Sequence, residues 1–263
     1  MSTSPISTPE LVFSHAGDAA QSRRVRRQAA AGELRKLHTG VYTPNLHTPP
    51  EQIVERHWRE IVGHLLPGGV ISHRSAFEGR PHDGLIVITR GQTRRTLQLP
   101  GLQVEVLPGP GAMGAESVLS PVSHRRPQQD VAQLDVAQRD APYGALFLAS
   151  EARRFLENLS RGRAWSKRVL PQDVLEAQLE KILALRGEQR FNALRDACRQ
   201  LAPELGLMPE YKRLDALMGA LLGTQSQRRL TAKQALARAA GRPYDPDRLP
   251  LFDALFAALN REV

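Results

Sequence analysis

Residues 18–43, DAAQSRRVRRQAAAGELRKLHTGVYT, decide how the N-terminal part of the chain folds. Asp18 is a favourable N-cap residue, because its side chain accepts hydrogen bonds from the first free amides of a helix. Gly32 adopts the left-handed backbone conformation without strain and so ends a helix readily. These two signals together predict a helix from Ala19 to Ala31.

The arginines of this predicted helix collect on one side. On a helical wheel, with about 100° between successive residues, Val25 and Ala29 fall within about 40° of each other. The opposite arc, roughly 160° wide, carries Arg23, Arg24, Arg26 and Arg27. None of these arginines has an acidic residue four positions further along, so an anionic partner would relieve their mutual repulsion. The pattern favours contact with DNA over the other interpretation, a solvated arginine face on an ordinary surface helix.

A hairpin is predicted directly after the helix, from the strands Glu33–Leu37 and Gly40–Thr43 with a tight turn between them. Beside an arginine-rich helix, such a hairpin is typical of a wing that touches phosphates. Leu11–Ala16 is expected to form the supporting helix of a helix-turn-helix, which makes residues 1–48 a winged helix-turn-helix domain. The predicted DNA-binding residues are Ser22, Arg23, Arg24, Arg26, Arg27, Arg35, Lys36 and His38.

Composition supports a globular protein with a nucleic-acid partner. The chain has 263 residues, of which 41% are hydrophobic, and 36 Lys and Arg against 27 Asp and Glu give a net charge of +9. Basic proteins attract polyanions. The single cysteine, Cys198, excludes an internal disulfide and argues against a cysteine-based zinc site. Because the chain has neither a signal peptide nor a long apolar stretch, we expect a cytoplasmic protein without a membrane partner.

The rest of the chain predicts an α+β fold with two further regions. Residues 49–145 form a small mixed α/β region and residues 146–263 an all-helical domain. In the first region we predict a helix over 51–66, a short helix over 74–78, strands over 69–72, 85–89, 96–99 and 102–106, and a loop over 108–145 that contains a short duplication at 130–138. In the second we predict helices at about 150–159, 171–186, 188–203, 209–223, 231–240 and 248–260.

Three stretches resemble a known family. Residues 22–44, SRRVRRQAAAGELRKLHTGVYTP, are similar to the winged-helix segment that opens AbiEi-type antitoxins. Residues 72–76, SHRSA, and residues 145–159, ALFLASEARRFLENL, are similar to later segments of the same proteins. The resemblance implies a DNA-binding autorepressor that also neutralises a nucleotidyltransferase toxin.

A second resemblance concerns the C-terminal part. Residues 217–224, LMGALLGT, and 241–248, GRPYDPDR, look like the helical region that precedes the catalytic core in certain Fic-family proteins, whereas the Fic catalytic signature HPFxxGNGR is absent. This implies the regulatory portion of a Fic-type adenylylation system, acting by protein–protein contact. Two alternatives to a repressor with a toxin partner or a second copy therefore stay open: this regulatory role, and a sensor that binds DNA without repressing a promoter.

No catalytic motif is found, so we predict a protein that is not an enzyme and that uses no cofactor. The run Pro108–Ala112 lacks the ending of a phosphate-binding loop, and no G-x-S-x-G or H-E-x-x-H motif is present. His57 and His64 are seven residues apart on a predicted helix, so they are separated by about 10 Å and cannot share a metal. We predict partly buried, hydrogen-bonded histidines at both positions and a core position for Cys198.

Overall fold

The structure is a computed structural model, and it describes residues 10–14, 17–113, 141–160 and 167–239. These residues form an α+β fold. The elements are β1 (Val12–Phe13), α1 (Ala19–Ala30), β2 (Arg35–His38), β3 (Val41–Thr43), α2 (Pro50–Leu65), β4 (Val70–Ile71), α3 (His73–Glu78), β5 (Leu85–Thr89), β6 (Arg95–Leu99), β7 (Leu102–Leu107), β8 (Ala141–Tyr143), β9 (Leu146–Leu148), α4 (Glu151–Asn158), α5 (Gln172–Leu205) and α6 (Met208–Ala239). The duplication at 130–138, the predicted helix at 248–260 and the motif at 241–248 lie outside the described residues.

Helix α1 begins and ends as predicted. The Asp18 carboxylate accepts hydrogen bonds from the amides of Ala20, at 3.0 Å, and Gln21, at 2.9 Å. At the other end Gly32 has a φ of 77°, and the amide of Glu33 donates to a carbonyl of the last turn. The N-cap and the glycine stop therefore fix the helix at both termini, and the prediction of a helix here is confirmed.

The predicted supporting helix at Leu11–Ala16 is wrong, because Val12–Phe13 is a strand. β1 pairs antiparallel with β3, which lies between β1 and β2 in a three-stranded sheet. The amide of Ser14 also donates to the carbonyl of Gly40 at 2.9 Å. Adjacent residues of a strand point to opposite sides. Phe13 accordingly packs on the main core, and Val12 packs on the small cluster beneath α1.

The second sheet has six strands in the order β6-β7-β5-β4-β9-β8, with parallel pairing of β5 with β7 and of β4 with β9. Helix α2 packs on β7 and β9. The last strand of this sheet along the chain, β9, ends three residues past the predicted boundary at 145. Leu146 and Ala149 belong to the core of the sheet. Leu37 and Val41 of the N-terminal sheet join the same core. Val25, Leu34 and Tyr42 form a separate small cluster beneath α1.

Helices α4, α5 and α6 surround a second core that includes Phe155, Phe191 and Met218. The predicted division between 186 and 188 is confirmed, since Gly187 interrupts α5 with a φ of 75°. The predicted helices at 209–223 and 231–240 are instead one continuous helix, α6. Within it, the hydroxyls of Thr224 and Thr231 are satisfied by the helix, since each donates to the carbonyl four residues earlier.

Single residues follow the sequence predictions in both cores. Cys198 is fully buried, and burial raises the pKa of its thiol. Both His57 and His64 are half-buried, as predicted. His57 hydrogen-bonds to Glu10, and the ring of His64 stacks on Phe13 with 4.5 Å between ring centroids. Within the part of the chain that the structure describes, every helix is too short or too polar to cross a membrane.

Glu10 fastens β1 to helix α2. Its carboxylate lies 2.7 Å from Nε2 of His57 and accepts hydrogen bonds from Asn45, at 3.0 Å, and Arg56, at 3.3 Å. These groups favour the ionised form, and the hydrogen bond with His57, followed by that from Asn45, lowers the pKa of Glu10.

We expect Glu10→Gln to lower the free energy of unfolding by about 1 kcal/mol at neutral pH, because it removes a charge-assisted network that is partly exposed. The folded-state pKa of Glu10 is lowered, so its contribution is present above the ordinary glutamate pKa and is lost as the pH falls through the folded-state value. The free energies of unfolding of the two proteins, measured with urea, should therefore converge as the pH falls through the folded-state pKa of Glu10. Glu55→Gln, an exposed position on α2, is the matched control; a difference that persists in acid would contradict the assignment.

Arg153 and Glu157 form a buried ion pair on α4, with 2.7 Å between Nε and Oε1. We expect Arg153→Met to lower the free energy of unfolding by about 3–5 kcal/mol, because Glu157 is left charged and buried. Arg153→Met combined with Glu157→Leu should recover part of that loss, because no unpaired charge is then buried. Recovery stays incomplete, because the carbonyls of Pro110 and Gly111 and the amide of His73 still lose their partners. Chemical denaturation followed by circular dichroism measures both, with the exposed Arg199→Met as the control expected to change little.

Candidate nucleic-acid interface

The inner face of α1 is narrow. Val25 is the one described residue of the helix that is buried, and it packs with Leu34 and Tyr42, to which Ala29 and Val12 add partly buried surface. Apolar contact of this size holds one strip of the helix against the sheet. Seven of the twelve residues of α1 are exposed.

The outer face of α1 carries Arg23, Arg24, Arg26 and Arg27, all of them exposed. None of the four forms a hydrogen bond or an ion pair with any residue that the structure describes. The helix itself contains no acidic residue, and the carboxylate of Asp18 is occupied by helix amides. We call this set of four side chains the arginine face.

The arginine face is electrostatically unfavourable in the isolated protein. Arg23 lies three and four residues before Arg26 and Arg27, and Arg24 lies three residues before Arg27. Each such like-charge pair opposes helix formation by about 0.2–0.5 kcal/mol. Arg27, in the last turn, gains from the negative end of the helix dipole, which offsets part of this repulsion.

Lys36 extends the arginine face onto the sheet. It is exposed and lies directly opposite Tyr42 in the pairing of β2 with β3. Paired residues point to the same side of a sheet, and Tyr42 packs beneath α1. The ammonium group of Lys36 therefore emerges on the side of the sheet that bears the helix.

Arg35 and His38 do not join this surface. Arg35 pairs with Thr43, on the side away from α1, and its guanidinium donates to the carbonyls of Thr48, at 3.0 Å, and Leu46. A bulge places His38 opposite Val41, which faces the main core. Both residues were predicted to contact DNA; strand alternation directs Arg35 away from the arginine face, and the bulge does the same for His38.

Ser22 occupies an intermediate position. It is half-buried at the margin of the inner face, one residue before the first arginine. The structure thus brings together five of the eight predicted residues as an exposed surface, places Ser22 at its edge and separates Arg35 and His38 from it.

The arginine face is compatible in size and chemistry with the major groove of DNA. A helix of 12 residues is about 18 Å long, and the major groove of DNA, about 12 Å wide, admits one α-helix. Guanidinium groups bind phosphates and guanine edges with paired hydrogen bonds. Exposed, unpaired arginines on such a helix can do so without first breaking bonds within the protein.

A second set of charged side chains, absent from the sequence predictions, is buried where α4 meets the six-stranded sheet. Arg153 donates to Glu157, and Glu157 accepts the backbone amide of His73 at 3.2 Å. Arg168 binds both carboxylate oxygens of Glu105. We call these residues the buried charge network, and we include in it Arg94, which is itself exposed but donates to Glu105. The four-residue spacing of Arg153 and Glu157 was the one local signal available for it.

Burial and pairing act in opposite directions on the ionisation of this network. Burial lowers the pKa of His73, which favours a neutral imidazole at neutral pH. Burial alone would raise the pKa of Glu105, but hydrogen bonds from Arg168 and Arg94 lower it overall. At neutral pH, Glu105 is therefore charged within the buried charge network, whereas His73 is neutral.

Among the described residues no group of three or more His, Cys, Asp or Glu side chains is arranged to hold a metal ion. Comparison of the chain with family models, with characterised proteins and with solved structures gives no match.

Proposed function

We propose that this protein binds double-stranded DNA through the arginine face, with Lys36 as an additional phosphate contact. The observation that carries the proposal is the set of four exposed arginines on one helix face, none with a partner among the described residues. A surface helix selected only for stability would gain from acidic residues at three- and four-residue spacings. Their absence is explained if the compensating charges belong to a ligand.

The arrangement of elements supports a winged-helix interpretation of the unit. Strand β1, helix α1 and the β2–β3 hairpin follow one another, and β3 is central in the sheet. In this interpretation α1 is the recognition helix and the hairpin is the wing, which reaches phosphates beside the groove through Lys36. Because Val12–Phe13 is a strand, the proposed unit presents α1 without the supporting helix predicted at Leu11–Ala16.

We further propose that DNA binding serves transcriptional repression of the antitoxin type, as the resemblance to AbiEi-type antitoxins implies. One recognition helix contacts few bases, so two copies on a repeated site would raise specificity. The helices α4–α6 are the proposed surface for a second copy or a toxin partner. Footprinting on the protein's own upstream region tests repression, and co-purification with a co-expressed nucleotidyltransferase or Fic protein tests the partner; uniform DNA coverage would instead favour a sensor.

We expect replacement of Arg23, Arg24, Arg26 and Arg27 together by alanine to weaken DNA binding by about a hundredfold or more, because most phosphate and base contacts are lost. Gel-shift titration measures the affinity, and circular dichroism checks that the fold is kept, as expected for side chains that face away from Val25.

The matched control removes the same charge from the helical region, by alanine at Lys181, Arg186, Arg199 and Lys212, which are all exposed. It should change DNA affinity by less than about threefold, because these residues lie outside the arginine face. Equal losses in the two quadruple variants would mean that net charge alone attracts DNA, and the proposal would be wrong.

The salt dependence of binding counts the phosphate contacts. If all five cations touch phosphates, log K should fall against log salt concentration with a slope of about −4 to −5. Lys36→Gln should reduce that slope by about 0.9, whereas Lys212→Gln should leave it unchanged. A slope that Lys36→Gln does not alter would remove the hairpin from the interface.

A further inference from the structure

A cavity of about 360 Å³ lies beside the buried charge network, away from the arginine face. It is bounded by the ends of β5 and β7, the segment after β7, the first residue of α3, the end of α4 and the turn between α5 and α6. This volume lies within the range of small-molecule sites.

The walls of the cavity combine an apolar surface with a few convergent polar groups. Leu107, Leu205 and Leu207, with two prolines of the segment after β7, supply the apolar part. The polar side chains are those of His73, Thr89, Arg94, Glu157 and Ser160. A mainly apolar cavity with few polar groups is the usual composition of a site that orients a small organic ligand.

Two of the polar groups are held rigidly. His73 has a φ of 52°, which is uncommon for a residue other than glycine, and the bond from its amide to Glu157 accompanies that conformation. The hydroxyl of Thr89 donates to Ser72 at 2.9 Å. Backbone strain of this kind is typical of binding and catalytic positions, where it fixes a side chain in advance of the ligand.

Arg94 has hydrogen-bond donors that no described residue accepts from. Its side chain is 54% exposed, and it donates one hydrogen bond, from Nη2 to Glu105 at 2.6 Å. A guanidinium group has five N–H donors. The other four make no hydrogen bond to any residue in the described ranges, so they are available to a ligand in the cavity.

The surrounding charges select the ligand's charge. The planar guanidinium of Arg94 matches a carboxylate, with which it can form two parallel hydrogen bonds. Glu105 is also paired with Arg168, and Glu157 is paired with Arg153, so the three arginines and two carboxylates of the buried charge network carry a net charge of +1. The neutral imidazole of His73 adds no further cation, so the network balances a single negative charge on the ligand.

We propose that this cavity binds a small organic monocarboxylic acid. Its carboxylate pairs with Arg94, and its apolar body packs on Leu107, Leu205 and Leu207. The site is distinct from the arginine face and does not depend on the proposed DNA binding, so either function can fail without the other.

Isothermal titration calorimetry of the full chain with acetate, butyrate and benzoate at constant ionic strength tests the proposal. Saturable binding should strengthen from acetate to the larger acids. Neutral benzamide and inorganic phosphate should each bind at least about tenfold more weakly than benzoate. No saturable binding of any of the three acids, or phosphate binding at least as tight as benzoate, would overturn the assignment.

Variants locate the site. Arg94→Gln should weaken benzoate binding by about tenfold or more, whereas Arg95→Gln, on the adjacent exposed residue that does not line the cavity, should change it less than about twofold. Leu207→Phe, which fills apolar space and leaves Arg94 in place, should also weaken binding. Thermal unfolding verifies that each variant is folded. Equal benzoate affinity in Arg94→Gln and Arg95→Gln would show that the acid binds elsewhere.

Discussion

Alternation along β3 is the constraint on which the N-terminal structure depends. Val41 faces the main core with Leu37, whereas Tyr42 faces the small cluster beneath α1. Because adjacent residues of a strand point to opposite sides, the three-stranded sheet is covered on both. One face of the sheet packs in the main core with α2, and the other face contacts α1 through a narrow apolar strip. A helix held along one strip leaves most of its surface in solvent, and that surface carries the arginines.

Local signals in the sequence were sufficient for α1 and the hairpin, since the cap at Asp18, the stop at Gly32 and the strand-forming residues all lie within the elements that they define. They were insufficient for β1. Val12–Phe13 becomes a strand only through β3, almost thirty residues further along, and two residues cannot display a period of their own. The same limit applied to Arg35 and Lys36. Both are basic residues of the same strand, and only the register with β3 determines which of them lies on the side of α1.

The buried charge network shows why the second site escaped prediction. Arg168 and Glu105 are 63 residues apart, and nothing near either residue indicates that it is buried. Pairs of this kind are poor sources of net stability, because apolar residues of similar volume often perform as well. Their directional bonds instead connect β7 to the segment before α5, and Arg153 of α4 adds bonds to the carbonyls of Pro110 and Gly111. A wall of the cavity is thereby fixed by hydrogen bonds as well as by packing.

The arginine face and the cavity differ in how the fold supports them. The cavity is lined by side chains from several elements and held by buried bonds, so its geometry is set before any ligand arrives. Helix α1 has one buried residue, three like-charge pairs and no acidic residue, and a helix of 12 residues is marginal on its own. A polyanion on its outer face would cancel the repulsion that the protein leaves uncompensated, and anything that binds only the folded state stabilises it. Binding of a polyanion to the proposed interface would therefore be coupled to the folding of α1.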